Sequence, residues 1–446
     1  MNKQKVSLFW FRRDLRLDDN HGLFTALKSG FPVVPIFIFD ADIISKLPEN
    51  DPRISFIYDS LLGIHDSLQA FSSSLYCKKG KPIEIWKELL KEFDIQAVYT
   101  NGDYEPYAIQ RDAEVQRVLA EQGIPFYLHK DQVIFEKSEV LSNSNTPYTV
   151  FTPYKNKWLE TLKSNPFPDF TVDGTPNYAK VQFTFPSLAE IGFQRSEIRV
   201  KNYSIDSLDN YEETRNFPAM NQTSNLAPHL RFGTVSIRKI VQATDSNPIF
   251  LSELVWREFF MQILYHFPHV VNSNFRSKYD LIEWRNNEAD FEKWKTGQTG
   301  YPMVDAGMRE LNTTGYMHNR VRMIVAGFLC KHLLIDWRWG ERYFAEKLLD
   351  YELSSNNGNW QWVASTGADS QPFFRIFNPW EQTKNYDPKC EYIKKWIPEL
   401  KDVSDKDILK WETEWETHKD IKYPKPIVDY KKQKVLALKM LGAAFK

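Results

Sequence analysis

The chain has 446 residues, 42% hydrophobic and 26% charged, enough for two or three domains and too long for one small core. Its 57 basic and 58 acidic side chains leave a formal net charge of −1, which excludes a polycationic nucleic-acid wrapper; any nucleic-acid contact must come from a local patch. Three distant cysteines, Cys77, Cys330 and Cys390, exclude a disulfide framework and a C-x-x-C zinc site and fit a reducing compartment. The opening apolar run ends at Arg12 and Arg13, too short for a signal peptide or a membrane span, so a soluble, cytoplasmic protein without a metal is expected. The 14 Trp, 21 Tyr and 31 Phe suit a large core and equally suit stacking on flat ligands.

In chain order, VSLFWF (6–11), VVPIFIF (33–39), SLYCKK (74–79), QAVYT (96–100) and PFYLHK (125–130) read as strands, rich in Val, Ile, Phe and Tyr. Stretches 53–72 and 82–93 between them carry apolar residues at helical spacing. Strand–helix alternation predicts a five-stranded parallel α/β domain over 1–130. Residues 131–200 lose that rhythm to Ser, Asn, Pro and Thr and read as a long linker wrapping between two domains, with a short helix near 153–163. From about 201 to 446 the apolar spacing is helical throughout, which predicts an all-α domain ending in a Lys-rich helix.

Four segments of the second half combine chemistry-bearing residues. A helix predicted over 317–336 places Asn319, Arg322 and Met323 on one face with Arg320 one step round, a set suited to phosphates and an aromatic ligand and equally to a salt-bridged surface. In DYELSSNNGNWQW (350–362), Asp350 and Glu352 read as the end of a helix and Asn356 to Asn359 as a polar turn before Trp360 and Trp362. ELVWREFF (253–260) sets Glu253, Trp256 and Arg257 within one helical turn, where Glu and Arg four apart also form a routine contact. NQTSNLAPHLRFG (221–233) offers Thr223 and Ser224 before a helix, a diphosphate cradle or a plain cap.

These segments, in this order behind an opening FWFRRDLRLDDNHGL, resemble the photolyase/cryptochrome family over about residues 5–440, most closely its class I cyclobutane pyrimidine dimer photolyases. The resemblance implies a Rossmann-like antenna domain, a connector, and a helical domain that holds FAD and binds UV-damaged DNA as a monomer. It places Tyr211, Thr223, Ser224, Asn225, Leu226 and Ala227 at the FAD diphosphate, with Ala227 where a hydroxyl is usual. It places Phe250, Arg322, Asp350, Tyr351, Glu352 and Asn356 around the flavin, with Phe250 where Trp is frequent. Glu253 and Asn319 resemble the pair that hydrogen-bonds the flipped dimer, and Trp256, Trp362 and Met323 resemble its apolar walls. Arg215, Arg257 and Arg320 are then the phosphate contacts, and extrusion of the lesion from the stack is the event they serve. Trp360, Trp337 and Trp284 stand at the spacings the family uses for electron transfer to the flavin. The implied reaction is a light-driven carbon–carbon lyase step in DNA repair, with an electron passing from photoexcited reduced FAD to the dimer and back.

Two other readings belong to the same resemblance. Blue-light receptors of the cryptochrome branch tend to replace the residues found here as Trp362 and Asn356. The (6-4) photoproduct enzymes carry two histidines where this chain reads MHNRVRM (317–323), with His318 alone. Tyr316 and Asn359 depart from residues common in relatives, Trp and Gly. In the first domain, NGDYEPYAIQRD (101–112) resembles an antenna-binding stretch, with Glu105 the residue of interest and folate, deazaflavin or flavin as the second chromophore.

Overall fold

A computed structural model describes residues 3–444 with the exception of 166, 173 and 207. Strands β1 (Lys5–Phe11), β2 (Val33–Asp40), β3 (Tyr76–Gly80), β4 (Asp94–Asn101) and β5 (Phe126–His129) form one parallel sheet in the order β3-β2-β1-β4-β5. The five expected strands are these five. Residues of β1 and β2 point alternately to two apolar layers: Phe9, Phe11, Phe37 and Phe39 into one, Leu8, Trp10, Ile36 and Ile38 into the other. Every residue of β2 is buried, the signature of a sheet covered on both faces. Helices Pro52–Leu68 and Pro82–Glu92 match the predicted stretches; His21–Leu27 and Pro106–Ala120 complete the crossovers. Because β2 lies to one side of β1 and β4 to the other, the chain reverses its winding there and opens a crevice at the carboxyl ends of β1 and β4.

The chain packs as two compact units that cross its linear order. The first holds residues up to 145, 155–203 and 225–258; the second holds 146–154, 204–224 and 259–446. The segment predicted as a wrapping linker is therefore structured. Beyond the helix Phe151–Ser164, it is tied along the α/β unit: Ala179 N donates to Val33 O at 2.8 Å, Phe183 N to Ser74 Oγ at 2.7 Å and Gln194 N to Glu49 O at 2.7 Å. Tyr178, Ile191 and Phe193 enter its core, so the isolated apolar residues among Ser, Pro and Asn were anchors.

Residues 225–258, expected in the helical domain, pack with the first unit through buried ion pairs. Arg16 and Arg238 both bind Asp131 at 2.8 Å, and Arg238 also binds Asp19 at 3.0 Å. Leu15 N donates to Phe232 O at 3.0 Å. Gly233, at φ +64°, closes this contact: a Cβ there would lie 2.2 Å from Arg13 O. Glu258 is buried against the same unit, accepting from Ile134 N, Phe135 N and Trp158 Nε1 at 2.7, 3.0 and 2.6 Å.

The second unit is helical, with no strand among its described residues. Its core gathers Met308, Val321, Phe328, Phe344 and the buried indoles of Trp294, Trp337, Trp360 and Trp380. Its last helix, Tyr430–Ala444, buries Ala437 and Leu441 and leaves its lysines outside. No helix among the described residues is long and apolar enough to cross a membrane.

Candidate functional site

The singled-out residues fall in both units, and each unit is taken separately. In the first, the helix Pro248–His266 buries Leu254, Val255 and Glu258 and leaves Glu253, Trp256 and Arg257 half-buried on one face, as their i, i+3, i+4 spacing requires. Arg257 is anchored as well as presented, donating to Gln132 O at 2.9 Å. Phe250 is buried at the start of this helix. The helix Leu226–Phe232 begins after Asn225, held at φ +52° without capping the helix through its side chain. Leu226 is buried and Ala227 exposed.

At the crevice beyond β1 and β4, charged groups form a closed set. Glu105 binds Arg13 at 3.0 Å and Arg231 at 3.2 Å, and Arg13 also binds Asp103 at 3.1 Å. Arg12 pairs with Asp112, and the guanidinium groups of Arg12 and Arg111 sit 5.1 and 4.9 Å from the Trp10 ring. The sequence reading found Glu105 here and missed the arginines, although Arg12 and Arg13 directly follow a strand.

In the second unit, the predicted helix 317–336 is shorter, Asn319–Lys331. His318 caps it, its Nδ1 accepting from Arg320 N at 3.2 Å, and Leu334 at φ +55° separates it from the next helix, Trp337–Lys347. Burial, then the neighbouring Arg322, Arg320 and Arg215, hold the His318 imidazole down at about 4, so it is neutral at physiological pH. Asn319 is exposed on the first turn and Met323 half-buried. Arg320 donates to Asn216 Oδ1 at 2.6 Å and lies 4.4 Å from the Tyr386 ring; Arg215 lies over Tyr211 at 5.3 Å. Thr223 is exposed and Ser224 half-buried in the loop before the unit boundary.

The Asn-rich segment is not a turn. The preceding helix ends at Lys347, Asp350 and Tyr351 lie in the connection, and Glu352 is the cap of a helix Leu353–Ala364 that contains all three asparagines. Tertiary bonds override their poor propensity. Asn357 Nδ2 donates to Val270 O at 2.8 Å, and Asn356 Nδ2 to Glu341 O and Glu341 Oε1, both at 2.9 Å. That fixes the Asn356 amide, presenting its carbonyl oxygen as an acceptor. Glu341, which sequence reasoning missed because GERYFAEK reads as a charged surface helix, is pushed up by burial and pulled back by the Asn356 bond. On this helix Trp360 is buried and Trp362 half-buried, on opposite sides. Gly340 lets Trp360 press against the neighbouring helix, where a Cβ would stand 2.1 Å from the indole.

Arg322 binds Asp350 at 2.9 Å and Met317 O at 2.8 Å. The other oxygen, Asp350 Oδ1, is the one carboxylate oxygen among the described residues that is buried without a partner. Ser354 Oγ, four residues on in the first turn of the helix Leu353–Ala364, is also buried and unpartnered. Such groups require a ligand or water. Trp337 is buried with its Nε1 donating to Asn274 Oδ1 at 2.9 Å, and Trp284 packs half-buried on the core.

Comparison with known proteins gives this arrangement a lineage. A model of "DNA photolyase" matches residues 7–172, and one of the "FAD binding domain of DNA photolyase" matches 250–443. A deoxyribodipyrimidine photo-lyase of Halobacterium salinarum is 38% identical over 98% of this chain and 99% of its own. The crystal structure of an archaeal photolyase from Sulfolobus tokodaii with two FAD molecules superposes at TM-score 0.87, with 37% identity over 99% of this chain and all of that one. A bacterial class III photolyase from Agrobacterium tumefaciens superposes at TM-score 0.87, with 35% identity over all of this chain and 98% of the other. The chain belongs to the photolyase/cryptochrome family.

Proposed function

We propose that this protein binds FAD and uses light to split cyclobutane pyrimidine dimers in DNA. The observation that carries the reading is Asp350: a carboxylate paired to Arg322 through one oxygen and buried without a partner at the other, six residues before Asn356, whose amide nitrogen is held by Glu341. Open acceptors of this kind fit the N–H edge of a flavin ring. Arg322, Asp350, Tyr351, Glu352 and Asn356 are the groups we assign to the ring, with Phe250 as an apolar neighbour. Tyr211, Thr223, Ser224, Asn225, Leu226 and Ala227 are assigned to the diphosphate, where backbone N–H groups at a helix start favour anionic oxygens and replace the hydroxyl that Ala227 lacks.

Bound and reduced, FAD supplies the photoexcited electron that opens the cyclobutane ring. The residues bind, orient and exclude water. Glu253 and Asn319 hydrogen-bond pyrimidine edges, and Glu253 steadies the charge that develops on the dimer. Trp256, Trp362 and Met323 give the extruded bases apolar surfaces, and Arg215, Arg257 and Arg320 hold flanking phosphates. Trp360, with Trp337 and Trp284, returns the cofactor to its reduced state. A second flat chromophore, folate, deazaflavin or flavin, is assigned to the crevice lined by Arg12, Arg13, Glu105 and Arg111. We place the protein in the cytoplasm as a monomer acting on damaged DNA.

The test is repair of UV-irradiated oligothymidine by the purified, flavin-loaded protein, in light and in darkness. Light-dependent loss of dimers is expected; a flavin-loaded protein that leaves dimers intact under illumination favours a receptor. In Glu253→Gln, the quantum yield of repair should fall more than lesion affinity, and equal losses would remove the assigned role.

A further inference from the structure

Asn359 is the one exposed residue of the helix Leu353–Ala364. Its neighbours are enclosed: a Cβ at Gly358 would stand 2.1 Å from the Phe260 ring, and Trp360 is buried. Asparagine is a poor helix former, and at two positions of this helix a distant partner accounts for it. Asn356 Nδ2 donates to Glu341 O and Asn357 Nδ2 to Val270 O. Asn359 has no such partner among the described residues. Its side-chain bond stays on its own helix, Nδ2 donating to Ser355 O at 2.8 Å, which turns Oδ1 outward as an acceptor. A weak helix former exposed without a tertiary bond contributes nothing to the fold, and such local conflicts mark function.

Residues three apart are neighbours on a helix surface, so Asn356, Asn359 and Trp362 form one ridge. Asn356 is assigned above to the flavin and Trp362 to an extruded base, and Asn359 stands between them. The chemistry of DNA narrows what its oxygen can meet. A phosphate oxygen is itself an acceptor, and the deoxyriboses inside a strand carry no donor. In a thymine dimer the donor that remains is the N3–H of each ring. We infer that Asn359 is a specificity-determining residue whose Oδ1 accepts the N3–H of the thymine resting against Trp362. The inference rests on the dimer-repair reading above. An acceptor at this place favours a pyrimidine with hydrogen on N3 and opposes one without it, because the unmatched pair would set two electron-rich atoms face to face.

The experiment is binding, in darkness, of the flavin-loaded protein to single-stranded DNA carrying one thymine dimer, read by fluorescence titration. The dimer is used unmodified, methylated at N3 of its 5′ ring, or methylated at N3 of its 3′ ring. Asn359→Ala should bind the unmodified dimer about three- to tenfold more weakly than wild type. One of the two methylations should weaken wild type by about tenfold and Asn359→Ala by roughly threefold or less. Asn359→Ala should also melt slightly higher, because alanine is the better helix former, whereas a merely structural role predicts a lower melting temperature. Affinity of Asn359→Ala equal to wild type overturns the assignment, as does a pair of methylation penalties that is the same in both proteins. If wild type binds dimer-containing and undamaged strands alike, it is the underlying dimer-repair reading that fails.

Discussion

The crevice of the α/β unit and the polar cluster of the helical unit are both rich in arginine and carboxylate, but they close differently. In the crevice, Glu105 pairs with Arg13 and Arg231 and Asp112 with Arg12, so each of these carboxylates has its cation, while Arg231 Nη1, ion-paired to Glu105, makes no hydrogen bond among the described residues. In the helical unit, Asp350 answers Arg322 with one oxygen only, and its other oxygen and the Ser354 hydroxyl are buried without partners. The comparison therefore separates carboxylates paired within the chain from one that keeps a buried oxygen without a partner, and each can be broken separately.

The largest effect is expected from Arg322→Ala, which removes the partner of an Asp350 carboxylate whose other oxygen is already buried and unpartnered, at a cost of about 3 kcal/mol. Flavin retained per polypeptide after purification should collapse, and Arg322→Ala/Asp350→Asn should fold better than the single variant by thermal melting. Next is the pH response of Glu258. Burial raises its carboxyl to about 7, outweighing the three N–H donors that favour the anion. The folded state thus holds a proton that the unfolded chain releases near 4.5, so this group's contribution to stability falls as pH rises from 4.5 to 7. Across that window, melts of wild type should lose on the order of 2–3 kcal/mol relative to Glu258→Gln. Trp362→Ala should weaken binding of dimer-containing single-stranded DNA by about 1–3 kcal/mol and leave flavin content unchanged, as measured by fluorescence titration. The smallest effect belongs to the crevice: Glu105→Gln should change stability by about 1 kcal/mol or less, because Arg13 keeps Asp103. Loss of flavin from Glu105→Gln would erase the distinction between the two regions.

The sheet was legible because buried parallel strands write themselves as unbroken apolar runs, and β2 is the plainest case. Helix faces were legible where period alone decides them, as for Glu253, Trp256 and Arg257. Local rules failed where distant partners decide. Asn356, Asn357 and Asn359 read as a turn because the Val270 carbonyl and Glu341 that hold the first two lie far away in sequence. The segment 131–200 read as a spacer because its anchors are single residues without a period. Residues 225–258 read as helical-domain sequence, and nothing local betrays that Arg238 belongs with Asp19 and Asp131. The open oxygen of Asp350 is a property of packing and has no sequence signal.

Gly340 sets a clearance. The two helices that carry Glu341 and Asn356 meet where its missing side chain admits the Trp360 indole. Tunnelling rates fall off exponentially with separation, so one methyl group at this point acts as a lever on timing. Gly340→Ala must displace the indole or part the helices, and either movement also disturbs the clasp that aims the Asn356 amide. On the roles proposed for Trp360 and Asn356, the speed of recharging and the polarity offered to the cofactor are thereby geared to a single small residue.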